Sequence, residues 1–322
     1  MPDQLHKPDA ADLRGRGATS PWKIPWRGWR DACLRVKNQI GKDNISLISA
    51  GVSFYAFMAL FPAITALLSI YGLIVAPAQM AQQLDTLRGT IPSSTMQMIQ
   101  KQMTHIAASH SALGIGLIIS VVLALYYASQ GVGALIASLN IAYNEKEKRG
   151  FIKLYLVTFA ATLAAVVFVV LMLVVIGLPG YLQHAGLPAW LTVLVRVGRW
   201  ILTLGLMGAT FVAIYVFAPS RDRPQIQWVS PGAIFATVVG VCASIAFSYY
   251  IAHFGSYNKM YGSVAAIVIL MLWFWISTFV ALIGAELNSE LERQTRRGST
   301  PGEPEAHGQR DAMAVDTVKK SH

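Results

Sequence analysis

Long uncharged apolar runs, parted by short polar and basic segments, set the pattern of this chain. The clearest is residues 260–285, where 26 consecutive positions carry no charge and apolar residues fall on every helical face. At about 1.5 Å per helical residue such a run reaches roughly 39 Å, beyond the ~30 Å hydrocarbon core of a bilayer. Runs at 45–76, 113–141, 154–178, 200–218 and 232–253 repeat the pattern. Together they predict an all-α, polytopic membrane protein. Six transmembrane helices form a bundle within residues 45–290, between a basic cytoplasmic lead at 1–44 and a disordered cytoplasmic tail at 291–322.

Inside the runs, small residues recur every four positions, the spacing that lets helix backbones approach where lipid supplies no hydrophobic drive for association. Ser129, Gly133 and Ala137 form one such stripe, Gly205, Ala209 and Ala213 another, and Ser277, Ala281 and Ala285 a third. The longest, Gly232, Ala236, Gly240 and Ser244, predicts that the fifth span stands at the centre of the bundle. The third span is nearly pure Val, Leu and Ala and is expected to face lipid most. Pro62 removes a backbone hydrogen bond from the first span and bends it, as a fixed kink or as a hinge. Ser49, Ser53 and Tyr55 are the side chains expected to satisfy the freed carbonyl.

Outside the spans two stretches are amphipathic. Trp26, Trp29, Cys33, Val36 and Ile40 recur at 3-4-3-4 spacing while Arg27, Arg30, Arg35 and Lys37 fall off the stripe. This fits either an interfacial helix, held by anionic headgroups, or an elbow helix packed on the bundle. Two shorter repeats between residues 80 and 106 read as helices lying across the outer membrane surface.

Composition agrees with this picture. The chain is 54% hydrophobic and only 13% charged, against about a quarter charged in soluble domains, and its mean hydropathy is +0.49. The excess of 26 Lys and Arg over 16 Asp and Glu raises the question of nucleic acid. Placement answers it: 21 of the basic residues lie in the two tails and in the loops after spans two and four, and five lie on the opposite side. By the positive-inside rule both termini are cytoplasmic, and the charge requires no nucleic-acid partner. Cys33 and Cys242 suggest neither a disulfide framework nor a metal site.

Several ordered fragments resemble one family. SAGVSFYAFMALFP in span one, SLNIAYNEKEKRGF after span two, VSPGA opening span five, and YNKMYGS and LIGAELNSEL around span six are similar to segments of the YihY/BrkB family of bacterial inner-membrane proteins. The resemblance covers roughly residues 28–290, and the last two fragments are its most specific part. This chain departs from the pattern where a tryptophan is expected near Tyr126 or Tyr127 and another near Gly240. The resemblance implies a six-helix inner-membrane protein without an established reaction. Its family names preserve links to ribonuclease activity and to virulence, and envelope lipid transport is a further implied role.

The residues themselves weigh against hydrolysis. A nuclease needs acidic or histidine ligands converging on a metal, or an acid and base in reach of a phosphodiester. The seven histidines scatter over tails and outer loops, and no group of Asp or Glu falls together within the spans. The expectation is a protein that is not an enzyme and carries no cofactor and no metal. Glu286, at the end of span six, reads as a solvated helix end. Arg196 and Arg199 stand just before span four on the side where positive charge is disfavoured, three apart, and two guanidiniums there suit a phosphate or carboxylate headgroup. The expected partners are membrane lipids. An amphiphile is bound or moved in a cleft lined by Ser53, Tyr55, Asn140, Tyr143, Tyr257, Asn258, Tyr261, Glu286 and Asn288. The competing reading is a structural scaffold whose polar residues only join helices.

Overall fold

The computed structural model describes residues 15, 17–74, 110–183, 188–221, 225–253 and 263–295. After a short 3-10 turn at Pro21–Lys23 the elements are α1 (Trp26–Lys42), α2 (Ile45–Ile74), α3 (His110–Ala142), α4 (Phe151–Gln183), α5 (Ala189–Phe217), α6 (Ile226–His253) and α7 (Ser263–Arg293). Among the described residues there is no strand, and six helices are long and apolar enough to cross a membrane. The surface-lying pair expected between residues 80 and 106 falls outside the described residues.

The chain divides into two compact units, Phe54–Gly131 and the remainder. In the larger unit α6 lies between α5 and α7, the central place its small-residue stripe predicts. The packing is closest where α6 begins and α7 ends. A Cβ added to Gly284 would lie 2.7 Å from the Gly232 carbonyl oxygen and would also strike the Tyr215 hydroxyl. Only glycine permits backbones to meet this closely. Around the crossing Ile45, Leu139, Tyr143, Tyr215, Val229 and Leu282 form a core, each with essentially no exposed surface. This end of the unit is therefore where α2, α4 and α6 start and where α3, α5 and α7 finish. Along α7, residues 266–268 are exposed, 273–276 half-buried and 284–292 buried.

The stripes are corrected in detail. Gly232, Ala236, Ala281 and Ala285 face inward as expected, but Ser277 is exposed, with its hydroxyl donating to the Trp273 carbonyl. Gly205, Ala209 and Ala213 face outward, because α5 turns Gly208, Phe211, Val212 and Tyr215 toward its neighbours instead. Ala137 on α3 is likewise exposed, and Ile136, Ser138, Leu139 and Asn140 are buried. Where larger apolar side chains can mesh, the smallest residues do not decide which face packs.

α1 is the elbow helix, docked on α7. Its buried residues are Gly28, Ala32 and Val36, while Trp26 and Cys33 of the expected stripe are exposed. Trp29, Val36 and Ile40 do pack with Trp228, Leu287 and Leu291. α2 continues through Pro62 to Ile74. Ser49 and Ser53 donate to the Ile45 and Ser49 carbonyls, at 2.7 and 2.6 Å, so their hydroxyls are committed one turn behind themselves and not to the carbonyl that Pro62 frees. In the smaller unit, a Cβ on Gly131 would lie 3.4 Å from the Tyr55 Cβ, and Phe57 and Phe61 meet edge to face.

Candidate functional site

The last two turns of α7, EXXXE and NXXXE interleaved as Glu286, Asn288, Ser289, Glu290 and Glu292, are buried among the ends of the other helices. Glu286, Glu290 and Glu292 are at most 2% exposed. An ionised carboxylate is removed from water at a cost of several kcal/mol unless it gains partners. Two of the three have them.

Glu292 pairs with Arg221 at 2.5 Å, both side chains being almost wholly buried. Arg221 also lies 4.3 Å above the Tyr143 ring, a cation–π contact in a dry setting. Burial alone would favour loss of the Arg221 proton, but the acidic groups around it, Glu292 first, together outweigh this and hold the guanidinium charged. The turn that carries Arg221 is fixed from the far side. Asn140 accepts from the Ser220 N–H at 2.7 Å, the Ser220 hydroxyl accepts from the Lys148 N–H, and Arg149 donates to the Ala218 carbonyl.

Glu290 is gripped by Arg35 of α1 at 2.5 Å and by Arg293, one turn on, at 2.8 Å. Arg35 also donates to the Gln294 side chain at 2.7 Å, which ties α1 to the end of α7. Asn288 spans two further elements: its oxygen accepts from the Gly232 N–H of α6 at 2.7 Å, and its amide donates to the Tyr143 hydroxyl after α3. Burial pushes the Tyr143 phenol well above its usual range, with Arg221 only partly offsetting it, so the ring stays neutral at any physiological pH.

Glu286 has no base. Neither of its oxygens receives a hydrogen bond from a protein donor, and Asp43, which ends α1, lies within hydrogen-bonding reach of it. Glu286 is thus not the solvated helix end expected from sequence, and the acidic residues that looked scattered do meet. The reason is helical register: α7 runs on to Arg293, past the apolar run, and positions 286 and 290 share a face that docks against α1. Among the described residues no three His, Cys, Asp or Glu are arranged to hold a metal ion.

Of the residues proposed from sequence, Asn140, Tyr143, Glu286 and Asn288 come together here. Ser53 is buried but its hydroxyl is bound within its own helix, and Tyr55 belongs to the other unit. Tyr257, Asn258 and Tyr261 lie outside the described residues. Arg196 and Arg199 are not at the entrance of α5 but inside it, since the helix starts at Ala189 behind Pro188. The Arg199 guanidinium stands 5.2 Å over the Trp200 ring. Sequence reasoning missed Arg35, Asp43, Arg221, Glu290, Glu292 and Arg293. The signal was present in AELNSELER, whose acidic positions alternate between two helix faces too close to an apolar run to stay in water.

A family model described as Virulence factor BrkB matches residues 36–309. The chain belongs to the BrkB family. The match begins within α1 and includes every residue of the buried network except Arg35, which lies one position before it. Among BrkB relatives, a Bacillus subtilis (strain 168) protein named only as ribonuclease-like, YfkH, is 31% identical over 254 residues, covering 77% of this chain and 90% of its own. A UPF0761 membrane protein from Pseudoalteromonas translucida is 24% identical over 271 residues, or 81% and 85% of the two chains. Another from Tolumonas auensis is 24% identical and spans 87% of this chain and 95% of its own. No solved structure matches the chain significantly. This BrkB-family protein is a multi-pass membrane protein.

The segment after α3 yields a pH prediction. Burial would raise the Glu147 carboxyl, but hydrogen bonds from Arg149 and Asn140 outweigh it and bring it to about 2 from an ordinary 4.5. A lowered carboxyl stabilises the fold above its unfolded value and loses that contribution as pH falls toward the folded one. Thermal melts between pH 4.5 and 2 are therefore expected to show Glu147→Gln losing less stability with acid than the parent. Identical slopes would mean the Arg149 contact contributes nothing. The side chain is partly exposed, so the difference is expected to be small.

Proposed function

We propose that this protein is a non-enzymatic component of the bacterial inner membrane, with both termini cytoplasmic, that binds or moves an amphiphile, most simply a lipid. The observation that carries the reading is the gradient of burial along α7: tight packing and paired charges at one end, and exposed apolar surface toward the other. On the distribution of basic residues the packed end is the cytoplasmic one. A closed base beneath a looser apolar region is what a lipid-handling protein shut toward the cytoplasm requires.

Arg196 and Arg199 fit the same reading. At about 1.5 Å per residue they lie roughly 27–32 Å along α5 from its end at Phe217, at the opposite membrane boundary. Two guanidiniums three residues apart there suit an anionic headgroup. A nuclease reading, suggested by the ribonuclease-like name of one relative, has less support, because most of the acidic groups of the network are engaged in ion pairs and their surroundings are too closed for a polynucleotide.

The test is reconstitution of the full chain in vesicles containing a fluorescent phospholipid. Transbilayer movement above that of protein-free vesicles is expected, falling to the protein-free rate in the Arg196→Gln, Arg199→Gln double variant while the melting temperature is unchanged. The scaffold reading draws on the Gly232 and Gly284 contact, which favours a permanently fixed pair of helices. No lipid movement, no retained lipid and a membrane partner recovered by cross-linking would decide for it.

A further inference from the structure

We propose that Asp43 and Glu286 hold a single proton between them, and that this proton pins the α1–α2 elbow to the end of α7. The inference is independent of whether the protein moves lipid.

Glu286 is fully buried, and both of its carboxyl oxygens, like one oxygen of Asp43, have no donor among the surrounding protein groups. The hydrogen bonds of the neighbouring bases go to other acids, and Arg293, whose Nε is itself buried without a partner, acts on Glu286 only through its charge. Arg35 serves Glu290 and Gln294, Arg293 serves Glu290, and Arg221 serves Glu292. The groups that face Glu286 are then Asp43 from the elbow, Glu290 and Arg293 from its own helix, and the neutral Tyr143 phenol from the end of α3. Two carboxyls within hydrogen-bonding reach, the buried one receiving no donor and only the more distant charge of Arg293 to offset its own, are not both ionised. One proton resolves this: it forms the O–H of one acid and is accepted by the other.

The two acids differ in access. Asp43 is half-buried and Glu286 is closed off, so a proton arrives from water by way of Asp43. Asp43 also stands at a joint. It closes α1, and Asn44 beside it has φ of 51°, a left-handed conformation that Asn tolerates, before α2 starts at the fully buried Ile45. Loss of the proton leaves two anions face to face, and the element free to move is this elbow, which carries α1. The device is a proton-sensitive latch between α1 and α7, beside the Arg35 ion pair that joins the same two helices.

The test uses the full chain in detergent micelles. Infrared spectra near neutral pH are expected to show a protonated-carboxyl C=O stretch that disappears in alkali and is lost in Glu286→Gln and in Asp43→Asn, since either change removes the shared proton. The sign of the stability effect follows from linkage: a proton bound in the folded state and released on unfolding stabilises at low pH and is lost as pH rises, by up to tenfold in the folding equilibrium per pH unit. Glu286→Gln, whose amide donates to Asp43 where the proton sat, is expected to remove that slope without lowering the melting temperature. A carboxyl band of unchanged intensity in both variants, or no such band in the parent, overturns the proposal. So does a melting temperature that rises with sodium at fixed pH, which would assign the site to a cation. Should Glu286→Gln fail to fold, the half-buried Asp43→Asn decides by the same band.

Discussion

Replacing Gly232 or Gly284 with alanine is expected to destabilise this protein more than any other single-methyl change. The added Cβ at Gly232 would meet the Gly284 carbonyl oxygen and lie 2.6 Å from the Asn288 Cγ, and at Gly284 it would meet the Tyr215 hydroxyl and lie 2.7 Å from the Gly232 carbonyl oxygen. Overpacking a tight site costs about 1–3 kcal/mol, and more where the obstacle cannot move. Here the obstacle is backbone on both sides. Separation of α6 from α7 would also stretch the bond from the Gly232 N–H to Asn288 and with it the link to Tyr143. A loss of about 3 kcal/mol or more is therefore expected for each variant, read as a fall in melting temperature and in recovery from detergent extraction. Gly205 is the control. A Cβ there meets nothing within 4 Å, so Gly205→Ala is expected to be neutral or to stabilise by up to ~1 kcal/mol through helix propensity. Equal effects at the three positions would show that the α6–α7 crossing yields to an added methyl.

The same glycines show what the sequence reveals and where it stops. Runs of apolar residues long enough to span a bilayer, and the alternation of basic loops, carry the number of helices and their order, because lipid admits few other solutions. Four-residue spacing correctly marked Gly232 and Ala236 on α6 and Ala281 and Ala285 on α7. It failed for Gly205, Ala209 and Ala213, since a small side chain is as comfortable against lipid as against another helix and its spacing alone does not choose. The polar network was half legible. Asn140, Tyr143 and Asn288 stood out because hydrogen-bonding groups near membrane depth need partners. Their ionic companions did not, because Arg35 sits on the basic side of an amphipathic helix, the side that headgroups would hold, Asp43 and Arg221 come from short segments that look like ordinary solvated turns, and only the fold carries them to α7. Glu286 was misjudged for the same reason. A charged residue next to an apolar run reads as the place where water begins, yet two further helical turns remain buried beyond it.

Cutting the Arg221–Glu292 pair on one side only is the second large effect expected. Arg221→Ala leaves the Glu292 carboxylate 1% exposed and without its 2.5 Å partner, and removes the cation from the Tyr143 ring. Glu292→Ala takes the 2.5 Å carboxylate from a guanidinium that is 5% exposed in the same dry place. Stranding one member of a buried pair costs about 3–5 kcal/mol, more than the pair itself contributes over a well-packed apolar substitute. Each single variant is thus expected to lose about that much, and a double variant, Arg221→Met with Glu292→Leu, much less than the two losses together. A double-mutant cycle on unfolding in mixed micelles measures the difference. The contrast lies with Arg35, whose side chain is 40% exposed although its distance to Glu290 is the same 2.5 Å. Water can solvate what Arg35→Ala leaves behind, and Arg293 still holds Glu290, so a loss of about 1 kcal/mol or less is expected there. Burial and not distance therefore ranks the two bridges, and the measured order of Arg221→Ala and Arg35→Ala is the direct check. A larger loss for Arg35→Ala would mean that α1, and not the turn after α5, is what keeps the charged end of α7 in place.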